Sequence, residues 1–284
     1  RPTHSLWDIK GVKLLRRINS SIKATILSVS FFHHLAGMRS YVFGVSGKGW
    51  KLNPISAYRR GLKKIDERPG FVNPEHAHLG PIVDYLVKEG LTLGKTQDWD
   101  ETMTQQSFIE DMFAKRAGKV SYAALKGVQK ARRFRRSMTT GLFNRLFAGL
   151  KAEAGALELT HTLHKLEKKA KKEGRGLTEA EIKLAAQQTA ALVNADFGGL
   201  HLSRMGRNPD LQRIAQTLLL APDWTESNWR TVTGMVPGLN KQINKLIGDN
   251  PDVPGMGKTY RRFWKGIAVR AMTSVVLLNA AVFL

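Results

Sequence analysis

Three Asn-Pro pairs, Asn53-Pro54, Asn73-Pro74 and Asn208-Pro209, do most to limit what this chain can fold into. Each places a side-chain acceptor before a residue whose fixed φ and missing N–H suit the first helical position, so each marks a helix start. Thr178 with Glu181 and Asp223 with Glu226 have capping-box spacing and add two more starts. Gly44, Gly90, Gly174, Gly198, Gly234 and Gly248 stand where helices are expected to close in a left-handed cap. Sustained alternation of β-branched and polar residues, the mark of strands, is missing almost everywhere. The chain therefore reads as all-α: multi-helix and elongated, with long basic helices, an apolar C-terminal helix and little or no strand.

The punctuation predicts a long helix over residues 6–43, short helices over 54–67 and 81–89, and a long basic stretch over 102–172. Gly118, Gly127, Gly141 and Gly155 are weak points within that stretch. Helices are expected again at about 178–197, 209–221, 224–233, 237–247 and from 258 onward. The change of charge character near Gly174 makes it the best single cut. It separates a basic N-terminal helical region, 1–173, from a C-terminal helical region, 174–284, that ends in an apolar helix. The chain starts at Arg1 without a Met and stops at Leu284 inside a hydrophobic run. An apolar helix end without a cap or polar tail reads as part of a longer polypeptide.

Charge says more about partners than about fold. Forty-five Lys and Arg face 23 Asp and Glu, a formal net charge of +22. Such a field concentrates nucleic acid, anionic lipid or acidic protein surfaces around the molecule. Between Asp111 and Glu153 no acidic residue occurs, while Lys115, Arg116, Lys119, Lys126, Lys130, Arg132, Arg133, Arg135, Arg136, Arg145 and Lys151 all do. Like charges such as Lys126/Lys130 and Arg132/Arg136 repel at i,i+4, so an external anion is expected to compensate. Phosphate suits best, because arginine forks match its geometry and each neutralised phosphate releases counterions. Lys126, Lys130, Arg132, Arg133, Arg135 and Arg136 are the candidate nucleic-acid-binding residues. An anionic membrane, an acidic partner subunit and a plain solvated face are the alternatives. No motif for sequence-specific recognition is present.

Two segments are markedly apolar. Residues 22–43 are apolar nearly all round for about three turns between Lys23 and Arg39, too short a run for a comfortable bilayer span, and read as a core helix. Residues 266–284 carry a denser run, preceded by Arg261, Arg262, Trp264 and Lys265. A basic, Trp-marked flank beside an apolar helix suits a membrane interface and equally suits packing into a large oligomer. Trp264, Val275, Val276, Leu277 and Leu278 are the candidates for that contact.

Signals for catalysis and metal binding are weak. The absence of cysteine removes thiolate chemistry, disulfides and zinc–thiolate sites. His33 and His34 point about 100° apart on a helix. His161 and His164 can share a face, but Lys165, Lys168 and Lys169 oppose a cation there. His76 and His78 with Glu75 form at most a weak cluster. Gly255-Met256-Gly257-Lys258-Thr259 lacks the phosphate-loop glycine at the required position, which is Asp252, and no strand precedes it. No enzyme, cofactor or metal site is expected; an enzyme fragment is the third functional reading.

Three phrases carry a resemblance. Ser28-Val29-Ser30-Phe31-Phe32-His33-His34-Leu35-Ala36, Asn194-Ala195-Asp196-Phe197-Gly198-Gly199-Leu200 and Leu220-Ala221-Pro222-Asp223-Trp224-Thr225-Glu226-Ser227-Asn228 resemble segments of the large polyvalent or internal virion (ejection) proteins of tailed bacteriophages. The resemblance implies a structural or ejection protein, packaged in the virion with the genome and present in the host cell envelope after delivery. Its implied partners are DNA, bound without sequence preference, and other virion proteins such as portal, tail or ejection proteins. Membrane contact, homo-oligomerisation and a conduit through the envelope are compatible with it. It transfers no catalytic residue. On local physics alone, Asp223 is expected to cap the helix carrying Trp224 and Trp229 after Pro222 stops the previous one. Gly198-Gly199 is expected to end a helix. Both are structural roles. The runner-up reading is a membrane-associated basic scaffold that binds anionic lipid.

Overall fold

The computed structural model describes residues 37–44, 53–66, 81–93, 145–199, 208, 222–248 and 253–283. Every regular element among them is helical and none is a strand. A π-helical turn at Ser40–Gly44 is followed by α1 (Pro54–Asp66), α2 (Pro81–Lys88), α3 (Ala148–Lys172), α4 (Glu179–Asp196), α5 (Pro222–Thr233), α6 (Leu239–Ile247) and α7 (Met256–Phe283).

Local chemistry accounts for most of the boundaries. Asn53 Oδ1 accepts from Ser56 N at 3.0 Å and so caps α1. At α4, Thr178 Oγ1 accepts from Glu181 N while Glu181 Oε2 accepts from Thr178 N at 3.0 Å, the full capping box. Arg175 braces that box from outside, and with the Thr178 amide it holds the Glu181 carboxyl down to about 2. Gly174, Gly198 and Gly248 take positive φ behind α3, α4 and α6. Gly44 and Gly234 do not, and serve close packing instead. A Cβ on Gly44 would collide with the Asp196 carboxylate, and one on Gly234 with the Tyr260 ring. α5 already includes Pro222, so Asp223 lies inside the helix rather than capping it.

The centre of the molecule is the first half of α3. Ala148 to Ala156 are buried on every side, in a stretch rich in Ala and Gly. Small side chains let neighbouring backbones approach. Gly61 of α1 meets Gly149 so closely that a Cβ would strike the Gly149 carbonyl, and Gly155 receives Leu86 of α2. Gly155 is therefore not a weak point in the helix but a packing notch. One hydrophobic cluster joins Tyr41, Ala57, Val83, Leu86, Leu150, Leu159, Ala186, Val193 and Phe197. It draws residues from both sides of Gly174, where the chain simply turns from α3 into α4. A second cluster of Leu192, Met256, Tyr260 and Phe263 seats the first half of α7 on α4.

Candidate polyanion interface

The second half of α3 is amphipathic in the plainest way. Leu159, Leu163, Leu166 and Ala170 recur at helical spacing and turn toward the core. On the opposite side His161, Lys165, Lys168 and Lys172 fall on one stripe at i, i+4, i+7 and i+11. Lys165, Lys168 and Lys172 are exposed. The acids of this segment are engaged on the flanks, where Glu167 pairs with Lys171 at 2.8 Å and Glu173 with Lys169 at 3.7 Å. Among the described residues the three stripe lysines have no acidic partner. The imidazole of His161 is held below its usual range, first by burial and then by Lys165.

α7 adds to this basic surface. It carries Lys258, Arg261, Arg262, Lys265 and Arg270 and no acidic residue. Arg262 crosses to α3, where its Nη2 donates to Glu158 Oε1 at 2.6 Å and Glu158 is fully buried. That pair ties α7 to the middle of α3, and Lys258, Arg261 and Lys265 of α7 are exposed. Rows of flexible, solvated lysine cations match the spread charge of a polyanion backbone rather than one enclosed anion.

Inside the molecule the charges are used differently. Lys151, expected to face an external anion, is only 3% exposed. Its Nζ donates to Thr92 Oγ1 at 3.0 Å, and Thr92 Oγ1 in turn donates to Asn194 Oδ1 at 2.7 Å. Burial alone pushes the amine down to about 7. The neighbouring Glu153, equally buried, is paired with Arg60 at 2.7 Å. Asn194 also donates to Gly90 O at 2.8 Å, so the Asn194–Gly199 phrase clamps the loop after α2 as well as ending α4.

Of the eleven basic residues in the acid-free stretch, Arg145 is exposed and Lys151 is buried. The other nine, including Lys126, Lys130, Arg132, Arg133, Arg135 and Arg136, lie outside the described residues. The second group of candidates splits in two. Trp264 is half-buried, with Nε1 donating to Thr231 Oγ1 at 3.3 Å and its ring edge-on to Phe263. Val275, Val276, Leu277 and Leu278 are 57–66% exposed, and Met272 is 69% exposed. Among the described residues no helix is long and apolar enough to cross a membrane. No group of three or more metal-ligating side chains occurs among them, and His33, His34, His76 and His78 lie outside them. Gly255 to Thr259 form the turn that opens α7.

The lysine stripe adds residues beyond the sequence-derived candidates. Its spacing is written in the sequence, but Glu167 and Glu173 make the segment look charge-balanced. Only the helix shows both acids spent on the flanks. No family model, curated protein or solved structure matches this chain.

Proposed function

We propose that this chain is a segment of a tailed-bacteriophage virion protein of the ejection type that binds DNA without sequence preference. In this reading it is a binding and assembly protein rather than an enzyme, packaged with the genome and engaged with other virion proteins and further copies of itself. The carrying observation is the exposed stripe of Lys165, Lys168 and Lys172, without acidic partners among the described residues, together with the exposed Lys258, Arg261 and Lys265 on a chain of net charge +22. The three quoted phrases support the phage assignment. Contacts of this kind reach phosphate, and phosphate carries no base information.

The test is a salt titration. Binding to two labelled duplexes of unrelated sequence should be equal and should weaken steeply with salt, each neutralised phosphate adding roughly 0.9 to the log–log slope. Replacing Lys165, Lys168 and Lys172 by Gln, which keeps helix propensity, should flatten the slope by about 2–3. Gln at Arg132, Arg133, Arg135 and Arg136 should flatten it by about 3–4. Slopes unchanged in both variants would remove the DNA role.

One observation favours a second reading, contact with anionic lipid or with a partner helix. From Ala271 to Ala281, α7 carries no charge, and most of its apolar side chains stand in solvent. A run of that kind usually marks an interaction surface. Replacing Val275, Val276, Leu277 and Leu278 by Ser should weaken sedimentation with phosphatidylglycerol vesicles, or self-association, by at least about tenfold. No change in either measurement would leave the run without a partner.

A further inference from the structure

His161 and Lys165 stand at i and i+4 on α3, a spacing that leaves Cβ atoms about 5–6 Å apart, so one tetrahedral anion can reach both side chains. Lys165 is exposed and His161 is half-buried. Among the described residues the ring nitrogens of His161 have no hydrogen-bond partner. The acid nearest to them is already spent. Arg262 of α7 donates through Nη2 to Glu158 Oε1 at 2.6 Å and lies 3.4 Å from Thr162 Oγ1, and these two residues bracket His161 in α3. Glu158 is fully buried in that pair. The charges that face the imidazole are Lys165, Glu158 and His164 of α3 and Arg262 of α7. Burial first, and then Lys165, hold the ring below its usual range; Arg262 and His164 add to this, and Glu158 alone opposes them.

The cations that would repel a metal ion from this histidine invite an anion, and an anion beside the ring reverses the field on it. Resting on the DNA-binding reading above, we infer that His161 and Lys165 together seat one phosphodiester of bound DNA, and that His161 takes up a proton from solvent as the phosphate arrives. The neutral ring has one N–H to donate, whereas the imidazolium has two and a positive charge, so the phosphate favours the protonated form. His161 then extends the row of Lys165, Lys168 and Lys172 by a fourth cation that exists only in the complex. The sign follows by linkage. Above the ring's value in the complex no proton is taken up, and affinity does not depend on it. As pH falls from there to the lower value in the free chain, the complex holds the extra proton and affinity rises. Below that value the ring is charged in both states and the gain is complete.

Duplex affinity at fixed salt, measured from pH 8 to pH 5.5 for the whole chain, His161→Gln and His161→Lys, tests it. A phosphate that raises one imidazole by about half to one pH unit tightens binding about three- to tenfold across the window. The unaltered chain should show that gain on acidification, and His161→Gln should lose it, whatever the other histidines contribute. His161→Lys carries its charge throughout and should bind about three- to tenfold more tightly than the unaltered chain already at pH 8. A merely structural histidine would not give that gain. Should either variant misfold by circular dichroism, calorimetry of the unaltered chain with duplex at pH 6.5, in two buffers of different ionisation heat, still reads proton uptake, and none would overturn the assignment. Equal pH profiles for the unaltered chain and His161→Gln would overturn it too, while a steep salt slope in both would keep the DNA reading. A pH-linked gain with phosphatidylglycerol vesicles but not with duplex would overturn it in favour of a lipid phosphate. No duplex binding at any pH removes the DNA reading and this seat with it.

Discussion

Replacing Lys151 by Met should stabilise this protein at neutral pH and flatten its pH dependence on the alkaline side. Lys151 is buried among the Ala- and Gly-rich turns of α3, with the hydroxyl of Thr92 as its polar partner and burial as the cause of its shift. Its amine falls from 10.5 in the unfolded chain to about 7 in the folded one. Between those limits the unfolded state binds the extra proton, so stability rises with pH across the window from about 7 to 10.5. Below about 7 the amine is charged in both states and the penalty is complete. At about 1.4 kcal/mol per pH unit, a fall of that size corresponds to about 5 kcal/mol. Met keeps most of the volume and removes the charge. Allowing for the lost hydrogen bond to Thr92, the gain at pH 7 should be on the order of 2–4 kcal/mol. Urea midpoints at pH 7, 8.5 and 10 for both proteins check this. Parallel profiles would mean that Lys151 is not buried as an uncompensated amine.

The opposite sign is expected at Arg262. Its Nη2 is 2.6 Å from Glu158 Oε1, and that carboxylate is fully buried between α3 and α7. Replacing Arg262 by Met takes away the cation and leaves the anion inside. Removing one partner of a buried pair costs roughly 3–5 kcal/mol, and the one-third exposure of Arg262 puts this case at the lower end. Replacing Glu158 by Gln should cost less. The double substitution should recover part of the loss, giving a coupling energy of at least about 1 kcal/mol. Additive losses would show that the two side chains act separately.

Lys151 and Lys165 show how far a charge pattern alone can be followed. Both are lysines on one helix, fourteen positions apart, in segments that look equally basic. The first belongs to nine consecutive residues that are buried on all sides, so its charge is withdrawn from solvent. The second stands opposite Leu163 and Leu166, and its charge is presented. The difference lies in what packs on the helix, and α1 and α2 come from sequence far away. Asp223 lies inside α5 for a simpler reason: Pro222 is as good a first residue of a helix as it is a stop for the previous one.

Helix type, and most of the starts and stops seen among the described residues, were determined by the sequence alone. Asn53, Thr178 with Glu181, Gly174, Gly198 and Gly248 act through hydrogen bonds and backbone angles that reach only a few residues along the chain. The apolar run in α7 and the net charge of +22 were equally plain, because neither depends on a distant partner. The tertiary structure alone decided which charges face inward, that Gly44, Gly61 and Gly155 are contact points, and that Asp196, Trp264 and the turn Ser40–Gly44 enclose a cavity. Those outcomes join residues from 59 to 227 positions apart, and nothing in local spacing encodes which distant helix will fill the space beside a glycine or a lysine.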